Sequence, residues 1–168
     1  SMVVELYAKQ FDWTARYAGD DNQLGASGYR MIDGSNVMGI DLADEKAHDD
    51  KSVRGEIHLP IGKSVLFKFN SRDVIHSAYM PHFRAQMNCV PGMVTQFHFV
   101  PNKTTAEMQS ELNNPDFQYI LLCNKICGSA HYNMQMDIIV ESEEDFQAWL
   151  KEKKTVADEL GTEPASEQ

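Results

Sequence analysis

The chain has 168 residues, a length that suits one domain with a substantial core, and its 42% hydrophobic and 24% charged residues are ordinary for a globular protein. A net charge of -10 argues against a nucleic-acid partner, and residues 141–168 alone carry a surplus of six negative charges. No apolar run approaches the roughly 20 residues of a membrane-spanning helix, and the start of the chain lacks the features of a signal peptide.

The layout of the chain predicts one domain with a long insertion and a tail. Ser1 and Met2 have the form of a cloning remnant, so we expect an excised piece of a longer protein. The domain is expected over residues 3–152, with a polar loop or insertion at 19–51. Residues 153–168 are acidic and poor in apolar side chains, so we expect them to be disordered.

Most of the chain is predicted to form short strands, because β-branched and aromatic runs alternate with Gly, Pro, Asn and Asp. In chain order the predicted strands cover residues 3–8, 10–17, 53–59, 64–70, 73–79, 94–100, 117–122 and 134–140. Many short strands separated by turns indicate an all-β sandwich or barrel.

Two short helices are also predicted. The first runs from about Thr104 to Leu112 and opens with capping-box spacing. The second begins after Ser142, has acids in its first turn and puts Phe146, Trp149 and Leu150 on one face. That face is expected to pack on the β-structure.

The most specific pattern is Cys123-Asn-Lys-Ile-Cys127-Gly-Ser-Ala-His131-Tyr-Asn-Met134, in a loop between two predicted strands. Two thiolates, an imidazole and a thioether form a soft ligand set that suits copper rather than calcium, magnesium or manganese. Four matched positions at three fixed gaps make the pattern specific, whereas two cysteines four apart would be weak alone. A rigid β scaffold on either side would fix these ligands before the metal arrives.

The second imidazole must come from elsewhere, since a mononuclear blue-copper site uses one thiolate, two imidazoles and a weak axial thioether. His76, at the end of an apolar run, is the best candidate, and His82 is its competitor. A second cysteine changes the stoichiometry, because two thiolates between two histidines can bridge two coppers. Such a site has no open position for a substrate, which favours electron transfer over catalysis. Cys89 is left as a buried or idle thiol.

Three segments carry a resemblance to a known family. The aromatic segment Lys9-Gln-Phe-Asp-Trp13, the segment Ser71-Arg-Asp-Val-Ile-His76 and the Cys-Cys-His-Met loop occur in the order seen in the copper A domain of cytochrome c oxidase subunit II. The chain resembles that domain over roughly residues 3–150. The resemblance implies a cupredoxin-like Greek-key β-barrel.

The resemblance also implies a set of ligands for two copper ions. Cys123 and Cys127 would bridge both coppers, His76 and Met134 would complete one, and His131 with the backbone carbonyl of Lys125 would complete the other.

Two positions depart from the family pattern. The family usually has Glu where this chain has Lys125, and that carboxylate helps to hold a magnesium ion at the contact with the catalytic subunit. An ammonium group only donates, so the substitution keeps the carbonyl role and argues against the magnesium role. The family usually has an exposed Trp for electron entry where this chain has Phe11, and Trp13 fills the second aromatic position. Phe11 and Trp13 are therefore the electron-entry candidates.

The function that the resemblance implies is electron transfer in a respiratory haem-copper oxidase. The domain would accept electrons from a cytochrome c, or a c-type cytochrome domain, and pass them to haem in subunit I. The parent protein would be membrane-anchored at the periplasmic face of a bacterial inner membrane, and the separate domain would turn over nothing. The alternatives are the copper A domain of another respiratory reductase and a copper-carrying cupredoxin-like protein.

Overall fold

The computed structural model describes residues 1–9, 12–33, 35–36, 38–123 and 134–160. The strands in this part of the chain are β1 (Met2–Lys9), β2 (Asp12–Tyr17), β3 (Lys51–Arg54), β4 (Glu56–Pro60), β5 (Val65–Ser71), β6 (His76–Met80), β7 (Ala85–Cys89), β8 (Thr95–Phe99), β9 (Tyr119–Cys123) and β10 (Gln135–Glu141). The helices are α1 (Thr105–Glu111), α2 (Glu143–Lys151) and α3 (Val156–Leu160), with short 3-10 helices at Tyr29–Met31, Glu45–Ala47 and Pro81–Phe83. The predominance of strands confirms the all-β prediction.

The strands form two five-stranded sheets, in the orders β3-β2-β1-β5-β8 and β4-β10-β9-β6-β7. β1 pairs with β5, and β10 with β4, in parallel, whereas the other pairs are antiparallel. Parallel neighbours need crossover connections, so the chain passes between the sheets instead of following one sheet to its end. The result is the predicted cupredoxin-like sandwich.

Alternation along the strands fills the space between the sheets. In β5 the odd positions Val65, Phe67 and Phe69 are fully buried, and the intervening side chains are partly exposed. Because side chains alternate between the faces of a strand, one face of each sheet supplies the core. Truncating a buried ring such as Phe67 to Ala would cost about 3–5 kcal/mol.

Both predicted helices are present, and each begins directly after its predicted N-cap residue. The Thr104 side chain accepts a hydrogen bond from the backbone N–H of Glu107, and Ser142 accepts one from the backbone N–H of Asp145, each at 3.1 Å. Such caps satisfy backbone donors that the first turn leaves unpaired. Phe146 on α2 is buried at 1% exposure in the main core, which confirms the predicted packing face.

Two strand predictions are wrong in detail. Residues 53–59 belong to two strands in different sheets, because Gly55 adopts a left-handed backbone (φ 84°) that turns the chain from β3 to β4. β7 has no counterpart in the sequence prediction. Its residues Ala85-Gln-Met-Asn-Cys89 alternate in burial but include no β-branched or aromatic side chain, the types that mark strands.

The 19–51 segment packs against the outer side of the first sheet. Met38, Ile40 and Ala47 form a second, smaller core there together with Val156 of α3. Apart from a β-bridge between Ser27 and Ile40 and the first residue of β3, the regular structure in the described part of the segment is limited to short 3-10 helices, consistent with the predicted insertion. Gly25 is required at its position, because a Cβ there would lie 2.2 Å from the Cβ of Ala47.

The tail is ordered further than the sequence predicts. Disorder was expected from residue 153, yet Val156–Leu160 form α3, and Val156 is 1% exposed. The backbone N–H of Val156 donates to the carbonyl of Asp50 at 2.7 Å. The apolar side chain of Val156 is therefore enough to anchor this helix, because the insertion supplies the apolar surface on which it packs. Residues 161–168 lie outside the described part.

No helix among the described residues combines the length and the apolar character needed to cross a membrane.

Candidate metal centre

Three predicted ligands, His76, Cys123 and Met134, lie in the described part of the chain. Lys125, Cys127 and His131 fall within residues 124–133, which lie outside it, as does the electron-entry candidate Phe11. Among the described residues alone, no group of three or more His, Cys, Asp and Glu side chains is arranged to hold a metal ion. The predicted set therefore depends on the loop that joins β9 to β10.

Strand register brings His76 and Cys123 onto one face. His76, the first residue of β6, pairs with Cys89 of β7, and Ala78, two residues further on, pairs with Cys123 of β9. Residues two apart on a strand, and residues directly paired across strands, share a face of the sheet. His76 is fully buried and Cys123 is 6% exposed.

The separation of the two donor atoms suits a shared metal. The Nδ1 atom of His76 lies 3.8 Å from the Sγ atom of Cys123. With bonds of about 2.0 Å to nitrogen and 2.3 Å to sulfur, the lengths typical of zinc, and an angle of about 110–125°, a metal would separate the donors by about 3.5–3.8 Å. The side chains are therefore already spaced as ligands of one ion.

Asp73 orients the imidazole. The Nε2 atom of His76 lies 2.7 Å from the carboxylate Oδ1 of Asp73. A carboxylate accepts, so Nε2 carries the proton and donates, which leaves the lone pair of the ring on Nδ1, the nitrogen that faces Cys123. Sequence reasoning assigned no role to Asp73, although its position three residues before the histidine was the available signal.

Met134 is hydrogen-bonded to Cys123 at the point where β9 ends and β10 is about to begin. Its backbone carbonyl accepts a hydrogen bond from the backbone N–H of Cys123 at 3.2 Å and another from the indole Nε1 of Trp13 at 3.3 Å. Both ends of the 124–133 loop are thus held at adjacent points of the β9–β10 ladder. Met134 is 1% exposed, so its side chain is buried, as are those of His76 and Cys123.

Trp13 lies in the core beside this group. It is 1% exposed, and its ring centroid is 6.5 Å from that of His76 with the rings tilted by 56°. The electron-entry role predicted for it and for Phe11 stays a prediction.

The third cysteine is a buried thiol, as predicted. Cys89 is fully buried in β7, opposite His76. Burial raises the pKa of Cys89 to about 12. Cys89 therefore stays protonated at neutral pH. Because a metal binds the thiolate form of cysteine, Cys89 is a core residue and not a ligand.

The competing histidine, His82, has an aromatic environment. Its ring meets Phe117 and Tyr119 edge-on, with centroid distances of 5.0 and 5.7 Å. Burial lowers the pKa of His82, which keeps the ring neutral. These contacts favour a packing role for His82 over a ligand role.

The arrangement has a definite chemical character. The imidazole Nδ1 of His76 and the thiol Sγ of Cys123 lie 3.8 Å apart in the buried interior of the β-sandwich, and the thioether residue Met134 is buried at the end of the same strand ladder. This donor set matches most of a mononuclear cupredoxin site and also one half of a thiolate-bridged pair. The fold and the donors together define a cupredoxin-like domain.

Comparisons with known proteins identify the family. A sequence profile described as "Cytochrome C oxidase subunit II, periplasmic domain" matches residues 2–143. The chain is 41% identical, over 155 residues, to the alternative cytochrome c oxidase subunit 2 of Bradyrhizobium diazoefficiens, covering 92% of this chain and 52% of that protein. Cytochrome c oxidase subunit 2 of Thermostichus vulcanus is 33% identical over 109 residues, covering 65% of this chain and 29% of that protein. The chain belongs to the family of cytochrome c oxidase subunit II periplasmic domains.

A solved structure supports the fold independently. The periplasmic domain of subunit II of cytochrome oxidase (CoxB) from Bradyrhizobium japonicum superposes with a TM-score of 0.61 at 19% identity, covering 90% of this chain and 92% of that one. At this identity the likeness is one of fold. The chain spans about half the length, or less, of the curated relatives named above.

Proposed function

We propose that this domain holds a binuclear copper A centre and transfers electrons from a c-type cytochrome to haem in the catalytic subunit of a haem-copper oxidase. The observation that carries the proposal is the placement of His76 Nδ1 3.8 Å from Cys123 Sγ, with Met134 at the base of the same loop. Bound copper would supply a one-electron couple. Every other property of the site comes from the protein.

The ligand assignment combines these side chains with the loop. Cys123 and Cys127 would be ligands of both coppers, His76 and Met134 would complete the ligands of one, and His131 with the carbonyl of Lys125 would complete those of the other. The described half of this set has the soft sulfur and imidazole donors that copper prefers. The Lys125 ammonium in place of a carboxylate argues against a magnesium ion beside it.

The protein's own contribution is rigidity and exclusion of water. His76 begins and Cys123 ends a strand of the same sheet. The hydrogen bonds that Asp73 accepts from His76 and that the Met134 carbonyl accepts from Trp13 fix the groups around them. Donors that cannot move much between oxidation states keep the structural rearrangement on electron transfer small. A buried site with fixed donors and no open position suits electron transfer better than reaction with a substrate.

Membership of the subunit II family supports the wider assignment. The relatives are named as subunits of cytochrome c oxidase and are longer than this chain. We propose that the parent protein is anchored in a bacterial inner membrane with this domain on its periplasmic face. There this domain would be the first electron acceptor of an oxidase that couples oxygen reduction to proton pumping. It would then pass its electrons to subunit I.

The experiment is anaerobic mixing of the copper-loaded, oxidised chain with a reduced c-type cytochrome, followed by stopped-flow absorbance. We expect one electron accepted per chain. His76→Asn should abolish that transfer, whereas His98→Asn, at an exposed position, should leave it unchanged. Copper released to a chelator with no oxidation of the cytochrome would contradict the proposal and favour a copper-carrying protein.

A further inference from the structure

One backbone carbonyl joins three parts of the candidate centre. The carbonyl of Met134 accepts hydrogen bonds from the backbone of Cys123 and from the side chain of Trp13. The first bond belongs to the β9–β10 ladder and needs only a backbone N–H at position 123, which every residue except proline has. The second is a side-chain contact between residues 121 positions apart, and it depends on the indole N–H of Trp13.

The position of Trp13 is itself fixed. Trp13 pairs with Ala8 in the β1–β2 hairpin, and its side chain belongs to the main core. It is 1% exposed, so the ring has no room to turn toward solvent. The indole therefore forms a fixed contact between the first sheet, which carries Trp13, and the end of the second sheet, where the proposed ligands lie.

The same ring borders the imidazole. The centroids of Trp13 and His76 are 6.5 Å apart, within the range of aromatic contacts. Asp73 holds the far nitrogen of His76, and Trp13 limits movement of the ring as a whole. One side chain thus contacts the imidazole of His76 and the backbone of Met134.

We propose that Trp13 is a positioning residue of the copper centre, which sets the placement of the Met134 thioether relative to the His76 imidazole. The proposal rests on the proposed function, in which these two residues bind the same copper. An axial thioether is a weak ligand whose distance tunes the reduction potential. Loss of the indole N–H would remove the side-chain hydrogen bond to the Met134 carbonyl and let the thioether move away.

The expected consequence is electronic. A bond of 3.3 Å is at the long end of the hydrogen-bond range, so its loss should leave the fold and the bound copper in place. A donor stabilises the more oxidised metal, so a weaker thioether raises the midpoint potential. The copper hyperfine pattern in the electron paramagnetic resonance spectrum should change with it.

The test compares Trp13→Phe with Trp149→Phe in the copper-loaded chain. Both variants remove an indole N–H from a packed ring, but the Nε1 atom of Trp149 has no hydrogen-bond partner within the described residues, and its ring stacks on His58. We expect wild-type copper content in both, with a raised midpoint potential and an altered hyperfine pattern in Trp13→Phe only. A wild-type potential and spectrum in Trp13→Phe, or equal shifts in both variants, would overturn the proposal.

A second replacement covers the case in which Trp13→Phe does not fold. In the Trp149→Phe background, tryptophan can be replaced biosynthetically by benzothienylalanine, which keeps the shape of indole but carries sulfur in place of N–H. The same rise in potential is expected, and an unchanged potential would overturn the proposal.

The wild-type result separates this proposal from the proposed function. A wild-type chain with a single copper would contradict the binuclear centre. The comparison of Trp13 variants would still apply to a copper held by His76, Cys123 and Met134.

Discussion

The carboxylate of Asp73 determines which ring nitrogen of His76 is left to bind a metal. We predict that Asp73→Ala lowers copper affinity by about 10- to 100-fold, because the imidazole loses both its preferred tautomer and its orientation. A competition titration against a copper chelator measures this directly. Asp158→Ala, at an exposed position on α3, is the control and should bind as wild type. Unchanged affinity in Asp73→Ala would show that the hydrogen bond does not orient a ligand.

Cys89 and Cys123 share a face of one sheet but should respond oppositely to mutation. Cys89→Ala should keep the full copper content and lose about 1 kcal/mol of unfolding free energy, because it removes a small buried group. Cys123→Ala should lose the centre. Copper analysis and urea denaturation of the two variants test this. A fall in copper content in Cys89→Ala would make the third thiol a ligand.

The sequence is more informative about the ligands than about the residues that hold them in place. The spacing from Cys123 to Met134 is local, so the loop could be recognised without a structure. His76 was found through a short run of neighbouring residues. The contact of Trp13 with Met134 joins positions 121 residues apart, and only the folded sandwich brings them together.

The buried ion pair under the 19–51 segment departs from what the sequence pattern of β1 predicts. Glu5 alternates with apolar residues in β1, a pattern that predicts a solvent-facing side chain. The insertion covers that face, so Glu5 is 5% exposed and lies 2.8 Å from the guanidinium of Arg16. Arg16 also approaches the fully buried Asp50 at 3.4 Å.

Asp50 should make the stability of the fold depend on pH. Burial raises the pKa of Asp50 to about 6, whereas an unfolded aspartate titrates near pH 3.9. The folded state therefore binds more protons than the unfolded state between these values. Its contribution to stability is complete below about pH 4 and is lost as the pH rises through about 6. Burial also raises the pKa of Glu5, which adds a contribution of the same sign.

The measurement is the unfolding free energy from urea denaturation at several values between about pH 4 and 7. Asp50→Asn lacks the titrating group, so its stability should fall less steeply with pH than that of wild type. Equal slopes would show that Asp50 titrates as an ordinary aspartate. The comparison between the two proteins removes the contribution of the other carboxylates.

Strand prediction succeeded where alternation involved large apolar residues and failed where it did not. β5 is rich in Val, Leu and Phe and was found almost to the residue. β7 gains its place from pairing with β6 along the full length of both strands, a long-range contact that composition does not reveal. The sequence pattern predicts one strand over residues 53–59, and the left-handed Gly55 divides it between β3 and β4, which lie in different sheets.

For the whole molecule, the net charge of -10 bears on how a partner approaches. Opposite charges accelerate association, and salt screens that attraction. We predict that the second-order rate of electron transfer from a positively charged c-type cytochrome falls as ionic strength increases. A negatively charged cytochrome is the control and should show no such fall. A rate from the cationic donor that is independent of salt would rule out electrostatic steering.

The proposed function requires that one chain bind two coppers, with Cys123 and Cys127 as ligands of both. The most direct test is to reduce the chain, load it with copper under nitrogen, and measure bound copper together with the electron paramagnetic resonance spectrum of the mixed-valence state. Two coppers per chain, with one unpaired electron split by both copper nuclei, is the predicted result. One copper per chain with splitting from a single nucleus would contradict the bridged centre.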